Sequence, residues 1–500
     1  MVHYFMQIII ALDASKSQSL QDQIFESIRQ QILSGRLKSG MPIPSTRILS
    51  EQLLVSRNTI IFAYQRLIAE GYLFSQNTAG TFVNPSLPDS SLMLHNYSSR
   101  NNNRKSKHKD KIVNKKDLVV FKGRAQALFN PYHDQLDIDF WVGRPDPNSF
   151  PIKIWKQLTL KNLTYSGSKM TEYHDSAGIY ELRKAIADYL GPARGIKTSP
   201  EKIIITNGIQ QALNLVTRLL IKNNSLAVVE CPCYQGAAFI LESYGAKLYP
   251  VPVDEDGLDV AQLPDKAVSL AYTTPSHQYP MGSTLPLDRR IRFLDWANQN
   301  GTYIVEDDYD SDFRHHGSPL TAIAGQDQYD CAIYLGTFSK SIGAALRLGY
   351  VVVPESLIKP AKIAKSLMDN GHSWLDQMVL KDFIVSGSYL KHLRQIRRTY
   401  LNRRDCLISE LHQNFGAVQL QGLNGGMHLV WRLPDSLPDA EEIQNIARKV
   451  GVGLYSLPAA AACDFGMNGY HERSIFFGYS STTEAQIKDG ISRLAMAIHQ

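Results

Sequence analysis

Apolar residues recur along this chain at two periods, and the change from one to the other divides it. Leu20, Ile24, Ile28 and Ile32 return every fourth residue, which predicts an amphipathic helix over Ser19 to Leu33, stopped by Ser34-Gly35. A short helix is predicted from Pro44 to Leu54 with Ser45 as its N-cap. After Val55 a third runs from Arg57 to Glu70, capped by Ser56, with Ile60, Ala63, Leu67 and Ile68 on one face. That spacing predicts a helix-turn-helix. Tyr72-Leu-Phe-Ser75 and Thr81-Phe-Val83 flank Gln76-Asn-Thr-Ala-Gly80 as a hairpin wing. From Asp137 onward, apolar strand runs alternate with helix-length segments, the pattern of a mostly parallel sheet covered by helices on both faces. Between the two patterns, residues 84 to 131 hold turn formers, asparagines and lysines with almost no apolar period, and are expected to form a flexible basic linker. The expected domains are residues 13–83, the linker 84–131 and residues 132–500.

Composition narrows this picture. A chain of 500 residues exceeds a single core, and 44% apolar with 20% charged residues is ordinary for a soluble protein. No apolar run approaches the roughly 20 residues that cross a bilayer, so no membrane partner is expected. Met1 to Leu12 lacks a basic start and is followed by Asp13, which predicts an N-terminal strand or arm of a cytoplasmic protein rather than a leader. Cys231, Cys233, Cys331, Cys406 and Cys463 are too scattered for a disulfide framework, and Cys231-Pro-Cys233 has no partner pair at zinc spacing, so no metal is expected. The net charge of +6 is unevenly spread: residues 1–116 carry 15 Lys/Arg against 7 Asp/Glu, and the remainder 38 against 40. A basic front on a neutral body predicts a polyanion partner for the front alone. Arg57, Asn58 and Thr59 open the third helix, where a recognition helix meets base edges and phosphates.

The candidate chemistry of the body gathers at strand ends, where ligands of such sheets sit. Ala332 to Leu335 runs into Gly-Thr-Phe-Ser-Lys340, and Arg347 follows seven residues later. Lys340 is placed to hold a cofactor aldehyde as a Schiff base, with Thr337, Ser339 and Arg347 around a phosphate, which describes pyridoxal phosphate (PLP). Lys202-Ile-Ile-Ile-Thr206 leads into Asn207-Gly208 and a helix whose first N–H groups, at Ile209 and Gln210, form an anion site. Tyr303 to Asp310 is a buried-type strand ending in carboxylates, which need a positive partner. Asp307 is expected on a pyridinium nitrogen and Tyr309 on the ring's phenolic oxygen. Tyr234 is expected to stack on a planar ring. The loop Thr274-Pro-Ser-His-Gln-Tyr-Pro-Met-Gly282 brings His277 and Gln278 to the same edge. His277 is also readable as a catalytic base, though no serine or cysteine nucleophile context supports that.

Two resemblances sharpen these expectations. Residues 19 to 83 resemble the winged-helix domain of GntR-type bacterial repressors, in Pro-Ser-Thr-Arg47, Val-Ser-Arg-Asn-Thr59, Ala-Tyr-Gln-Arg66 and Gly-Thr-Phe-Val83. This implies contact with double-stranded operator DNA by Ser45, Arg47, Arg57, Asn58, Thr59, Tyr64 and Gly80. The remainder resembles the fold-type-I aminotransferase superfamily and, with the head, the MocR-type regulators, in Phe-Trp-Val-Gly-Arg-Pro-Asp146, Thr-Asn-Gly-Ile-Gln-Gln211, Glu-Asp-Asp-Tyr-Asp310 and Gly-Thr-Phe-Ser-Lys340. The resemblance implies a winged helix-turn-helix joined to an α/β PLP-dependent transferase-like domain, with Lys340, Asp307 and Arg347 on PLP. It implies a head-to-tail homodimer, with Tyr173 reaching the partner subunit's phosphate. It implies a bacterial regulator that senses PLP or an amino-acid-like effector; an active aminotransferase with an accessory DNA-binding head is the rival reading. Relatives that sense γ-aminobutyrate use an arginine where this chain has Gly236, and transaminases use an arginine where Phe476 stands, with Arg473 nearby. Those departures favour sensing of PLP itself over turnover of an amino acid.

Overall fold

The structure, a computed structural model, describes residues 8–13, 18–76, 80–85, 123–125, 135–315, 320–467 and 469–499. The chain divides into two compact units, Met1–Leu118 and Val119–Gln500. Most of the expected linker, 84–131, lies outside the described residues.

The smaller unit contains helices Leu20–Leu33, Thr46–Leu53 and Arg57–Ala69, each entered through a serine. Ser19, Ser45 and Ser56 accept hydrogen bonds from the N–H groups of Asp22, Ile48 and Thr59, caps worth about 1 kcal/mol each. Ile24, Ile28 and Ile32 are fully buried, and each contributes about 2 kcal/mol by that burial. Leu20 and Ile68, expected on the inner faces, are instead partly exposed at 37% and 38%; Tyr64 fills the inner face beside Ala63 and Leu67. Strands Leu73–Gln76 and Gly80–Val83 pair antiparallel as the wing, and Pro42–Ile43 adds a third strand. The unit begins earlier than residue 13: Ile8 is buried in the core, and the Ile9 carbonyl accepts from Gln31 Nε2 at 3.0 Å.

The larger unit is built on one sheet in the order Ile203–Thr206, Gly349–Val352, Ala332–Thr337, Tyr303–Asp308, Leu270–Thr273, Leu226–Cys231 and Lys247–Asp254, with the short strand Gly257–Leu258 at the edge. Neighbours from Ala332–Thr337 to Lys247–Asp254 are parallel, whereas Gly349–Val352 is antiparallel to both strands beside it. Parallel strands are buried on both faces, and Ile203–Thr206 and Leu270–Thr273 are buried throughout. A second layer packs Gln419–Gln421, His428–Arg432 and Ser474–Gly478 as an antiparallel sheet. The 28-residue helix Ser388–Phe415 and helix Glu484–His499 belong to the same hydrophobic core as this sheet. Among the described residues, no helix is long and apolar enough to cross a membrane.

Candidate functional site

Successive residues of a strand point to opposite faces, and this alternation sorts the acids of Tyr303–Asp308. Glu306 accepts from the N–H groups of Ile323 and Ala324, each at 2.9 Å. Asp308 sits 2.7 Å from the Arg194 guanidinium and accepts from Tyr334 and Ser311. Asp307, on the other face, accepts from the Tyr272 hydroxyl through Oδ2 at 2.7 Å, while its buried Oδ1 has no partner among the described residues. Burial raises the Asp307 carboxyl from 3.8 to about 7, with Asp308 and Asp310 adding to the rise against the Tyr272 hydrogen bond. These carboxylates are therefore not a solvated acidic turn.

Asp307 lines a cavity of about 600 Å³ at the carboxyl ends of the central strands, together with Tyr234, Tyr309, Thr337, Ser339, Lys340 and Arg347. Lys340 donates to the Gly143 carbonyl at 2.7 Å. Its ammonium is pushed down by burial, and Arg347 lowers it further. Gly143 has φ +75°, and a Cβ there would lie 2.8 Å from the Lys340 amine. The lysine head thus lies against a bare backbone.

Arg347 lines the same cavity and donates to the Asn207 carbonyl at 2.6 Å. It lies so close to Gly208 that a Cβ at that position, φ +76°, would meet the guanidinium at 2.8 Å. Gly208 opens helix Ile209–Leu220, whose first-turn N–H groups have no acceptors within the helix. A guanidinium beside a helix N-terminus is a phosphate site. Thr337 Oγ1 accepts from the Ser339 N–H at 3.1 Å, shaping the turn before Lys340. Tyr234 forms a wall, its hydroxyl accepting from Gln210 at 2.7 Å.

The donor set fits PLP. Asp307 Oδ1 would accept from a ring N–H, Lys340 would supply the primary amine for the aldehyde, Arg347 and the helix start would take the phosphate, and Tyr234 would offer a flat face. When bound, PLP supplies the aldehyde and an electron-withdrawing ring; the chain supplies the charges and hydrogen bonds that orient it.

Other expected residues are placed differently. Gln278 is absorbed in its own loop, donating to the Pro232 and Tyr279 carbonyls and to Glu230, and accepting from the Met281 N–H. His277 is buried behind the cavity, with Nδ1 2.9 Å from Asp310 and 3.1 Å from the Tyr309 hydroxyl. Tyr173 is 91% exposed in the single chain. In the head, Tyr64 is buried rather than presented on the surface. Its hydroxyl donates to the Pro44 carbonyl at 2.9 Å, so it positions the helix instead of offering a free group to DNA. Ser45, Arg47, Arg57, Asn58 and Gly80 are exposed and Thr59 is half-buried.

Sequence reasoning passed over Gly143, Tyr272, Tyr279 and His428, all of which line the cavity. Burial pushes His428 down to about 3, with His277 adding to the fall, and its Nε2 is 2.8 Å from the Pro280 carbonyl. It is therefore a neutral ring that donates to that carbonyl. Phe476 is fully buried among Met281, Val430, Tyr455 and Ala460. Arg473 turns away, donating to the Leu437 carbonyl at 2.8 Å. At Gly236, a Cβ would lie 2.3 Å from Gln210 Nε2 and 2.5 Å from the Tyr234 ring, leaving no room for an arginine with these side chains in place.

Comparison with known proteins agrees with both halves. Residues 138–459 match the family described as aminotransferase class I and II, and residues 20–83 that described as bacterial regulatory proteins, gntR family. Over 98% of its length the chain is 32% identical to the probable rhizopine catabolism regulatory protein MocR of Rhizobium meliloti, covering 96% of that protein. It is 30% identical to the HTH-type pyridoxine biosynthesis transcriptional regulator PdxR of Corynebacterium glutamicum, over 97% of this chain and 98% of the relative. The crystal structure of Pyrococcus horikoshii kynurenine aminotransferase in complex with PMP superposes with a TM-score of 0.66 at 29% identity, covering 72% of this chain and 90% of that one. Likeness to two regulators over nearly the whole length, carried by head and body together, makes this chain a member of the GntR-family, MocR-type HTH transcriptional regulators, with pyridoxal phosphate as the cofactor of its aminotransferase-like body.

Proposed function

We propose that this regulator reads PLP itself, and that occupancy of the Lys340 site sets its affinity for operator DNA. The observation that carries this reading is the imbalance of the cavity. An amine, a buried carboxylate, an aromatic face and a helix start that fit PLP line one cavity, while Arg347 is the one arginine among the described residues that line it. Arg347 belongs to the phosphate corner, so an amino acid's carboxylate finds no counter-charge. The same imbalance disfavours a working aminotransferase, because a substrate must be held as well as a cofactor. The name of the Corynebacterium glutamicum relative agrees with a role in controlling the supply of vitamin B6.

The head contacts DNA through Arg57, Asn58 and Thr59 at the start of helix Arg57–Ala69, with Ser45, Arg47 and Gly80 on the backbone. Among the described residues the Arg47 guanidinium is held by an exposed pair with Glu51 at 3.1 Å, worth under about 1 kcal/mol and readily exchanged for a phosphate. The protein acts in the cytoplasm as a homodimer. Ile152, Leu160, Leu163, Tyr165 and Tyr173 support the dimer, being exposed in the single chain and within a short stretch of sequence. In a head-to-tail pair, Tyr173 reaches the partner subunit's phosphate corner. PLP shifts the dimer between arrangements of different DNA affinity, a linkage between two sites.

The test is operator binding, by footprint and titration, with and without PLP, on the native chain and on Lys340→Ala. Coupling predicts a PLP-dependent shift in the native chain and none in the variant. Identical affinity and footprint in all four arms rule the coupling out. Release of a 2-oxo acid from an amino donor at catalytic rates supports the enzyme reading instead.

A further inference from the structure

Cys233 and Cys463 lie 230 residues apart in sequence and meet beside the PLP cavity. Strands Cys233–Tyr234 and Ala462–Cys463 pair antiparallel, with Cys463 directly opposite Cys233. Their sulfurs are 3.7 Å apart. Residues directly opposite on antiparallel strands have Cα separations of about 4.5–5.5 Å, inside the range a disulfide spans. Closing the bond asks the sulfurs to approach by somewhat under about 2 Å.

The two thiols are not equivalent. Cys233 is buried, and Cys463 is partly exposed and open to a small oxidant. The hydrogen bond between them holds Cys463 below its ordinary range, and the Arg124 guanidinium lowers it further. The same bond, and burial, push Cys233 well up. Arg124 is itself fixed, 4.0 Å over the Phe239 ring and 2.6 Å from Glu242. Cys463 is therefore the attacking sulfur and Cys233 the resolving one. The neighbouring Cys231 donates to the Asp464 carbonyl, and burial raises it to about 12, so it remains a thiol.

Neither cysteine anchors PLP, but both sit in the backbone of the wall. Tyr234 adjoins Cys233 and lines the cavity, and so do Ala460 and Ala461 in the turn that leads to Cys463. The Gln235 N–H donates to the Ala461 carbonyl at 2.9 Å, and the Gln235 side chain donates to the Ala462 carbonyl at 2.9 Å. The wall is held together by hydrogen bonds next to two unjoined sulfurs.

We propose that Cys233 and Cys463 are an oxidation site for hydroperoxides that closes to a disulfide and pins this wall of the PLP cavity. The Cys463 thiolate attacks one peroxide oxygen. The O–O bond breaks, the sulfur becomes a sulfenic acid, and the other oxygen leaves with a proton as water or an alcohol. The Cys233 sulfur then attacks the sulfenic sulfur; the S–O bond breaks and water departs with the thiol proton. Two thiols and one hydroperoxide thus give one disulfide, one water and one alcohol or second water. In a reducing compartment such a bond is transient and signals rather than staples.

The test uses the full PLP-loaded chain, reduced and then exposed to a small excess of hydrogen peroxide. Peptide mapping without reductant is expected to find a Cys233–Cys463 disulfide, reversed by dithiothreitol. Release of PLP is expected to slow by about threefold or more as local opening of the wall is suppressed. Cys463→Ser, a change at the more accessible position, abolishes both effects. Cys233→Ala leaves Cys463 as a sulfenic acid trapped by dimedone. Oxidation at Cys406 instead, or a mapped disulfide with unchanged PLP release, overturns the proposal.

Discussion

The two sides of the PLP cavity follow opposite rules. On one side stand the buried Asp307, the half-buried Lys340 and the exposed Arg347, charged groups held by few protein partners. On the other stand Trp141, Val142, Met427, Ala460 and Ala461 with the neutral His428, and Phe476 is buried behind them in the same apolar cluster as Ala460. A buried polar atom without a partner costs about 1–3 kcal/mol, and Asp307 Oδ1 bears that cost in the PLP-free chain. Selection for stability alone would fill such a place. The first side thus keeps an interaction in reserve for its ligand, and the second invests in packing. A site built to turn over amino acids would hold charge on both sides.

Breaking the apolar side is the most severe test. Phe476→Arg forces a guanidinium into a position with 0% exposure, and is expected to cost about 5 kcal/mol in chemical denaturation. A variant that stays stable and gains affinity for amino-acid carboxylates shows that packing does not decide this wall.

On the polar side, Asp307 makes the PLP-free chain sensitive to pH. Its carboxyl is raised from 3.8 to about 7, so between those values the folded chain binds more protons than the unfolded one. Stability therefore falls as pH rises through that window, by at most about 4 kcal/mol. Asp307→Asn flattens the profile. Bound PLP, by giving the ionised carboxylate a partner, makes the fall shallower than in the PLP-free chain. Thermal melts across the pH range read all three.

Lys340→Ala removes covalent attachment. PLP's long-wavelength absorption is expected to be lost on gel filtration, with affinity weaker by about a hundredfold, close to 3 kcal/mol. Retention of colour moves the anchor to another amine. Gly236→Ala presses a methyl group on Gln210 and Tyr234, and should weaken PLP binding by about 1–2 kcal/mol in an equilibrium titration. The smallest expected effect lies in the head: Arg57→Ala lowers operator affinity by about 1 kcal/mol and reduces the salt dependence, with PLP binding unchanged.

Legibility in the sequence followed the same division. That Lys340, Asp307, Arg347, Tyr234 and Tyr309 line one cavity was readable because short motifs at strand ends put chemistry where an α/β sheet puts ligands. Gly143 was not, because it meets Lys340 across 197 residues of sequence. Tyr272 meets Asp307 across 35, from a neighbouring strand whose register only the folded sheet defines. Tyr64 was misassigned because its position among DNA-contacting motifs outweighed its helical neighbours Ala63 and Leu67, which face the core. Gln278 was misassigned because a polar side chain in a loop looks available until the backbone carbonyls around it are known.

The sequence by itself determined the winged head, the alternating α/β body and the candidate lysine at the end of strand Ala332–Thr337. Those depend on periodicity, capping and local motifs, which act over a few residues. Tertiary structure alone decided that Asp307 keeps one oxygen without a partner among the described residues, that Phe476 is packed in an apolar cluster and Gly236 crowded by Gln210 and Tyr234, and that Cys233 faces Cys463. These depend on distances between residues far apart in the chain, and on which polar groups burial leaves without a partner.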